Sequence, residues 1–180
     1  ALEMLRSCVE PLDGEIVPLD QALGRTLARD AISATQVPAF DKSAMDGYAL
    51  RAGETFGANP TDPVALKVIG EIFPGEPGKL TVGPGEAVRI MTGGAFPAGA
   101  DAVLRAEHST DRGNSVLVHG PVVPGRNVAR AGEDIQKGDT VLARGRVLRP
   151  QDLGVLASIR IAEVEVARRP VVGILTTGNE

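Results

Sequence analysis

The stretch Val37-Pro38-Ala39-Phe40-Asp41-Lys42-Ser43-Ala44-Met45-Asp46-Gly47-Tyr48-Ala49-Leu50 organises the rest of the chain. It holds the only Tyr, one of three Met and one of four Phe. Pro38 pushes Val37 out of the helical region, so the segment enters extended. Asp46-Gly47 reads as a tight turn, with Gly47 free to take a positive φ and Asp46 accepting bonds from nearby N–H groups. Tyr48-Ala49-Leu50 reads as the start of a strand. A carboxylate is thus held on a stiff turn, with an acid (Asp41), a base (Lys42) and a hydroxyl (Ser43) just before it. An ordinary connection does not need that density of polar groups.

Outward from this stretch, composition points the same way. The chain has 180 residues, enough for one large domain or two small ones. Hydrophobic residues make up 43% but aromatics only 3%, and Trp is absent, so the core must be Val, Leu, Ile and Ala. The 22 Gly and 13 Pro imply many turns and short elements, which favours β structure over a helical bundle. A net charge of −4 gives no basic footprint for nucleic acid. The single cysteine, Cys8, cannot form an internal disulfide and suits a reducing, cytoplasmic setting. No apolar run approaches the ~18 residues of a membrane span, so no membrane partner is expected.

The spacing predicts an N-terminal helix in residues 1–13, with Leu2, Leu5 and Val9 on one face and Pro11 stopping it. Residues 15–19 and 26–32 read as extended. Strands follow at 64–73, 86–92, 102–107 and 115–119, separated by Gly- and Pro-rich turns, the signature of a small β-barrel or sandwich. Residues 33–122 therefore read as an inserted body. The flanks 14–32 and 123–168 are expected to pair with each other, with a strand at 140–148, a helix opened by Pro150 and a strand at 161–166. Val171-Val172-Gly173-Ile174-Leu175-Thr176 is continuously apolar, the pattern of a strand buried on both faces. Residues 169–180 then read as the opening of a further α/β domain.

Candidate chemistry rests on acids and hydroxyls beside glycine. Asp46 precedes Gly47, Thr92 precedes Gly93-Gly94, Glu133 and Asp134 follow Gly132, and Glu180 follows Gly178. Glycine lets a ligand approach the backbone, and oxygen ligands of this kind suit Mg²⁺ completed by substrate phosphates. Arg126 and Arg130 could grip an oxyanion. His108 and His119 have no cysteine nearby and read as surface residues. Taken singly, each acid is accounted for by turn solvation.

Four ordered motifs change that. Pro38-Ala39-Phe40-Asp41-Lys42-Ser43-Ala44-Met45-Asp46-Gly47-Tyr48-Ala49 resembles the signature of the MoeA-type molybdopterin molybdenumtransferases, the family that includes the gephyrin E domain. Arg89-Ile90-Met91-Thr92-Gly93 through Pro97-Ala98-Gly99-Ala100-Asp101-Ala102-Val103 looks like a second family segment. Asn127-Val128-Ala129-Arg130-Ala131-Gly132-Glu133-Asp134 and Gly178-Asn179-Glu180 are similar to a third and a fourth. The similarity runs over nearly the whole chain. Two positions depart from it: Ala129, where many relatives carry Arg, and Arg160, where Gly is usual after the helix.

The resemblance implies a mainly β fold with short helices: an elongated bifurcated-sheet domain carrying an inserted small β-barrel-like domain, ending in the first strand of a truncated MogA-like α/β domain. It implies an enzyme that transfers molybdate to adenylylated molybdopterin, releasing AMP and forming molybdenum cofactor with Mg²⁺. The cleft is shared between subunits of a homodimer, and a MogA-type adenylyltransferase acts upstream. Carried over, the catalytic positions are Asp46, Thr92, Asp134 and Glu180. The cofactor-binding positions are Ser43, Gly47 and Arg130, and the metal ligands Asp46 and Asp134. Arg130 is expected between the two carboxylates, or else one of them should have a raised pKa. A second reading stays open: a non-catalytic β-rich dimerisation or scaffold module.

Overall fold

The computed structural model describes Glu10, residues 12–76 and residues 78–178. The expected N-terminal helix, Cys8 and Glu180 lie outside the described residues. Within them the fold is mainly β, with one α-helix. The chain forms two compact units, residues 36–134 and residues 1–35 with 135–180. The division at 33 and 122 read from the sequence therefore moves. Residues 123–134 run with the middle unit because Val128 and Ala129 pair with Ser43 and Lys42.

The middle unit is built around β4 (Gly47–Leu50), buried at all four positions. It lies antiparallel between β6 (Glu86–Ile90) and β7 (Ala102–Arg105). The sheet continues through β5 (Val64–Ile72), β9 (Ser115–Val118) and β8 (Ser109–Asp111), in the order β7-β4-β6-β5-β9-β8. β5 and β6 are parallel, joined by a long irregular connection, while the other pairs in this sheet are antiparallel. Alternation gives the sheet two apolar faces. Tyr48, Leu50, Leu66, Leu104, Val116 and Val118 pack on one, and Ala49, Ile72, Val88, Ile90 and Val103 on the other. A central strand covered on both sides explains why Gly-Tyr-Ala-Leu carries no charge.

Gly47 corrects the expected turn. It has no positive φ and is the first residue of β4, with the bend falling at residues 44–46. Glycine is required for a different reason: a Cβ there would collide with the Leu104 carbonyl oxygen on β7 and crowd Arg105 Cα.

In the other unit, β1 (Gly14–Pro18) pairs antiparallel with β12 (Glu163–Ala167), and β2 (Ala31–Ile32) with β11 (Thr140–Leu142). Single bridges join Thr26 to Val147 and Leu27 to Val166. The strand expected over 140–148 stops at Leu142, because Arg146 N–H bonds back to Ala143 across a turn with Gly145 at φ 85°. Helix α1 (Pro150–Ser158) begins with Pro150, whose missing N–H is harmless in the first turn. Asp152 is buried. Its carboxylate accepts the Arg149 backbone N–H at 3.0 Å and pairs with Arg146 at 2.7 Å. The Arg146 hydrogen bond is the main reason its pKa falls far below the usual carboxylate range. Stability from this pairing is present above the ordinary aspartate range and is lost as pH falls through the depressed pKa.

Arg160 ends the helix in the left-handed region at φ 64°. Ile161 N–H reaches Leu156 O at 3.0 Å and Arg160 N–H reaches Ala157 O at 3.0 Å, a complete Schellman closure made without glycine. The expected strand at 171–176 is absent: residues 168–178 have no strand, and Val171, Ile174 and Leu175 are exposed. An apolar run of that kind becomes a strand only between neighbours that take its backbone bonds, and no described residue does so here.

Two stability outcomes follow. Gly47→Ala should cost about 3 kcal/mol in urea unfolding, since a backbone carbonyl cannot move aside as a side chain can. Arg160→Gly should stabilise the chain by roughly 0.5–1 kcal/mol, the relief of left-handed strain less the added freedom of the unfolded chain. A lower midpoint for Arg160→Gly would contradict the closure described.

Candidate functional site

The site grows from one short strand and two turns. β3 (Lys42–Ser43) pairs with β10 (Val128–Ala129) on one side. On its other side Ser43 N–H bonds Gly94 O at 3.0 Å, and Gly93 N–H bonds Ser43 O at 2.8 Å. Gly93 and Gly94 belong to a turn closed by Gly94 N–H to Met91 O at 2.8 Å, with Gly93 at φ 84°. That is a type II turn, which needs glycine at its third position and leaves Thr92 at its second, pointing out.

Asp46 closes this arrangement. One oxygen, Oδ1, accepts both the Thr92 backbone N–H and the Thr92 hydroxyl, each at 2.7 Å. These bonds hold its carboxyl below the usual aspartate range, the Thr92 hydroxyl contributing most and the Thr92 N–H next. Both residues are exposed. The structure thus brings together two of the expected catalytic residues, far apart in sequence, through neutral donors. Oδ2 has no hydrogen-bond partner among the described residues.

The expectation for Arg130 is corrected. Its ion pair is with Asp41, and it makes none with Asp46 or Asp134. Its Nη1 donates to Asp41 Oδ2 at 2.6 Å, and Asp41 Oδ1 accepts the Ala131 N–H at 2.8 Å. Asp41 is therefore also held low, first by the Ala131 N–H and then by the Arg130 hydrogen bond. Nor is the Asp46 carboxyl raised: with no second carboxylate pressed against it, the donors of Thr92 decide the direction. Asp134 is exposed at the end of the same turn, its N–H bonded to Val37 O at 3.0 Å, and its side chain makes no hydrogen bond to a described residue.

Ser43 is buried at 1% exposure, and its hydroxyl is engaged within the loop, donating to Met45 O and accepting Met45 N–H. It shapes the bend that presents Asp46. Gly47 is likewise buried. Two residues to which the sequence reading gave no site role complete the frame. Asp41 ties the Arg130–Glu133 turn to β3, although it stands inside the opening motif. Asn127, in the left-handed region at φ 57°, donates its side-chain N–H to Val103 O at 2.8 Å and accepts Ala44 N–H at 2.9 Å.

No three His, Cys, Asp or Glu side chains among the described residues gather into a metal cage. Mg²⁺ does not require one, because one or two carboxylates suffice when phosphates and water complete its octahedron. Asp46 keeps one unengaged oxygen and Asp134 an exposed carboxylate, which is the donor type such an ion takes.

Comparison with known proteins is consistent along the whole chain. A family model described as the MoeA N-terminal region, domains I and II, matches residues 1–159. The chain is 43% identical over 179 residues to molybdopterin molybdenumtransferase 2 of Mycobacterium tuberculosis, covering 99% of this chain and 43% of that protein. It is 38% identical over 164 residues to a molybdopterin molybdenumtransferase of Staphylococcus aureus, covering 91% and 39% respectively. The crystal structure of a molybdopterin biosynthesis moeA protein from Pyrococcus horikoshii superposes with a TM-score of 0.91 at 42% identity, covering 94% of this chain and 45% of that one. The chain spans less than half the length of these relatives.

The Thr92 clamp has a direct signature. Thr92→Val removes the hydroxyl and keeps the backbone donor, so the Asp46 pKa should rise toward the ordinary 3.8 without a change of fold. A carboxyl ¹³C titration of Asp46 reads this, and an unmoved or lower value would refute the clamp.

Proposed function

The chain belongs to the MoeA N-terminal region family, and on that premise we propose that it forms one wall of the catalytic cleft of a molybdopterin molybdenumtransferase. The reaction transfers molybdate to adenylylated molybdopterin, releases AMP and forms molybdenum cofactor. The observation that carries the proposal is the Asp46–Thr92 clamp: an exposed, low-pKa carboxylate held by neutral donors on a glycine turn. A carboxylate in that setting stays ionised at neutral pH and keeps one oxygen for a ligand.

Asp46, Thr92 and Asp134 are assigned the catalytic side of this wall, and Glu180 keeps the catalytic role that the resemblance implies. Asp46 and Asp134 would hold Mg²⁺, which supplies charge neutralisation at the phosphate that leaves as AMP. Thr92, whose hydroxyl proton is given to Asp46, keeps lone pairs on that oxygen that can accept from a metal-bound water. Arg130 keeps guanidinium N–H groups beyond the one given to Asp41, and its side chain is 52% exposed, so it can meet a phosphate edge. Ser43 and Gly47 act by shaping the loop rather than by touching the ligand. The six-stranded unit serves as the inserted barrel-like body. The opposite wall is assigned to a MogA-like α/β domain of the partner in a homodimer. The adenylylated substrate comes from a MogA-type adenylyltransferase in the cytoplasm.

In the full-length protein, Asp46→Asn should reduce cofactor formation from adenylylated molybdopterin, molybdate and Mg²⁺ by roughly 10²-fold or more, the scale of losing one preorganised charged group. Unchanged synthesis would discard the catalytic reading and leave the scaffold module. The 180-residue chain alone should give no turnover in the same assay. Turnover by it would remove the need for a second wall.

A further inference from the structure

The six-stranded sheet has β7 and β8 at its two ends, yet both border one cleft of about 690 Å³. They follow each other in sequence, separated only by the three-residue turn Ala106–His108. The sheet curls until its ends approach, and the cleft is the seam left between them. Its volume lies within the ~300–1,000 Å³ range of small-molecule sites.

The charge of this seam opposes that of the chain. Against a net −4 overall, the lining carries Arg105, Arg126, His108 and His119 with a single carboxylate, Glu107. Glu107 is spent on Arg105 at 2.5 Å. Arg105 Nε still has no acceptor among the described residues, and Arg126 makes no ion pair with any of them. Thr110 Oγ1 and His119 Nε2 lie 2.8 Å apart, which fixes the imidazole at the rim. The apolar part of the lining comes from Val103, Leu104, Pro121, Val122 and Val123, of which Val123 is exposed. The seam thus offers more donors than acceptors beside an apolar wall. Asp46, Thr92 and Asp134 do not line it, and two backbone bonds, Ala106 N–H to Asp46 O at 3.0 Å and Ala44 N–H to Asn127 O at 2.9 Å, connect the two regions.

We infer that this seam is a binding site for a small organic anion, its phosphate or carboxylate head held by Arg126 and His119 and its apolar body laid against Leu104 and Val122. Guanidinium groups recognise either head group through paired N–H donors. None of the side chains assigned to the molybdenum-insertion cleft proposed above, Asp46, Thr92, Asp134 or Arg130, lines this site.

The test uses saturation-transfer NMR on the full-length protein with three probes: phenyl phosphate, benzoate and benzyl alcohol. At least one of the two anions should bind saturably, and the neutral alcohol should not compete. Arg126→Gln and His119→Asn should each weaken binding about tenfold, with unchanged thermal melts. Asp46→Asn and Arg130→Gln should leave it intact. Equal binding of the alcohol would reduce the seam to a greasy crevice and overturn the inference. So would loss of binding in Arg130→Gln with retention in Arg126→Gln, which would place the anion at the Asp41 turn. Failure of this test leaves the molybdenum-insertion reading untouched, because that reading is scored by cofactor synthesis in Asp46→Asn.

Discussion

The middle unit depends on the close passage of two backbones at Gly47. The Leu104 carbonyl on β7 occupies the space where a Cβ would be. That contact lets β4 sit between β6 and β7 with both faces buried. It also fixes where the strand begins. Asp46, one residue earlier, is thereby anchored at the rim of a rigid sheet instead of swinging on a mobile loop, and its backbone carbonyl accepts the Ala106 N–H. The carboxylate meets Thr92 because both lie at ends of neighbouring strands, β4 and β6, whose register is set by core packing.

The two acids of the opening motif are treated differently, and the difference bears on what each can do. Asp41 has both oxygens engaged, one by a guanidinium and one by an N–H, so its charge is used to hold the returning chain. Asp46 is held only by neutral donors and through one oxygen. Its negative charge is uncompensated locally and available to a cation or to a donor on a ligand. Placing a salt-bridged acid beside an unpaired one, five residues apart on one frame, separates the structural task from the chemical one.

Much of the fold was legible in local pattern. The strands at 64–72, 86–90, 102–105 and 115–118 and the helix opened by Pro150 follow from alternation, β-branched content and proline's missing N–H, all properties of neighbouring residues. The apolar run at 171–176 misled because periodicity reports what a segment needs and not whether partners exist to supply it. The short strands at 42–43 and 128–129 escaped notice because two residues carry no period. They exist only by pairing with each other across the chain.

The candidate site divides along the same line. The sequence by itself determined the acid-on-glycine chemistry, the placing of Thr92 directly before Gly93-Gly94 and, through four ordered motifs, the family. Those are matters of residue type and short spacing. Tertiary structure alone decided that Asp46 is bonded to Thr92, that Arg130 belongs to Asp41 and not to a carboxylate pair, and that Ser43 is turned inward. It also decided that Gly47 is glycine for want of space and not for a positive φ, and that two histidines read as surface residues share one basic seam. Each of these rests on strand register and on the curl of a sheet. Both come from long-range packing among residues that carry no mark of one another in the linear chain.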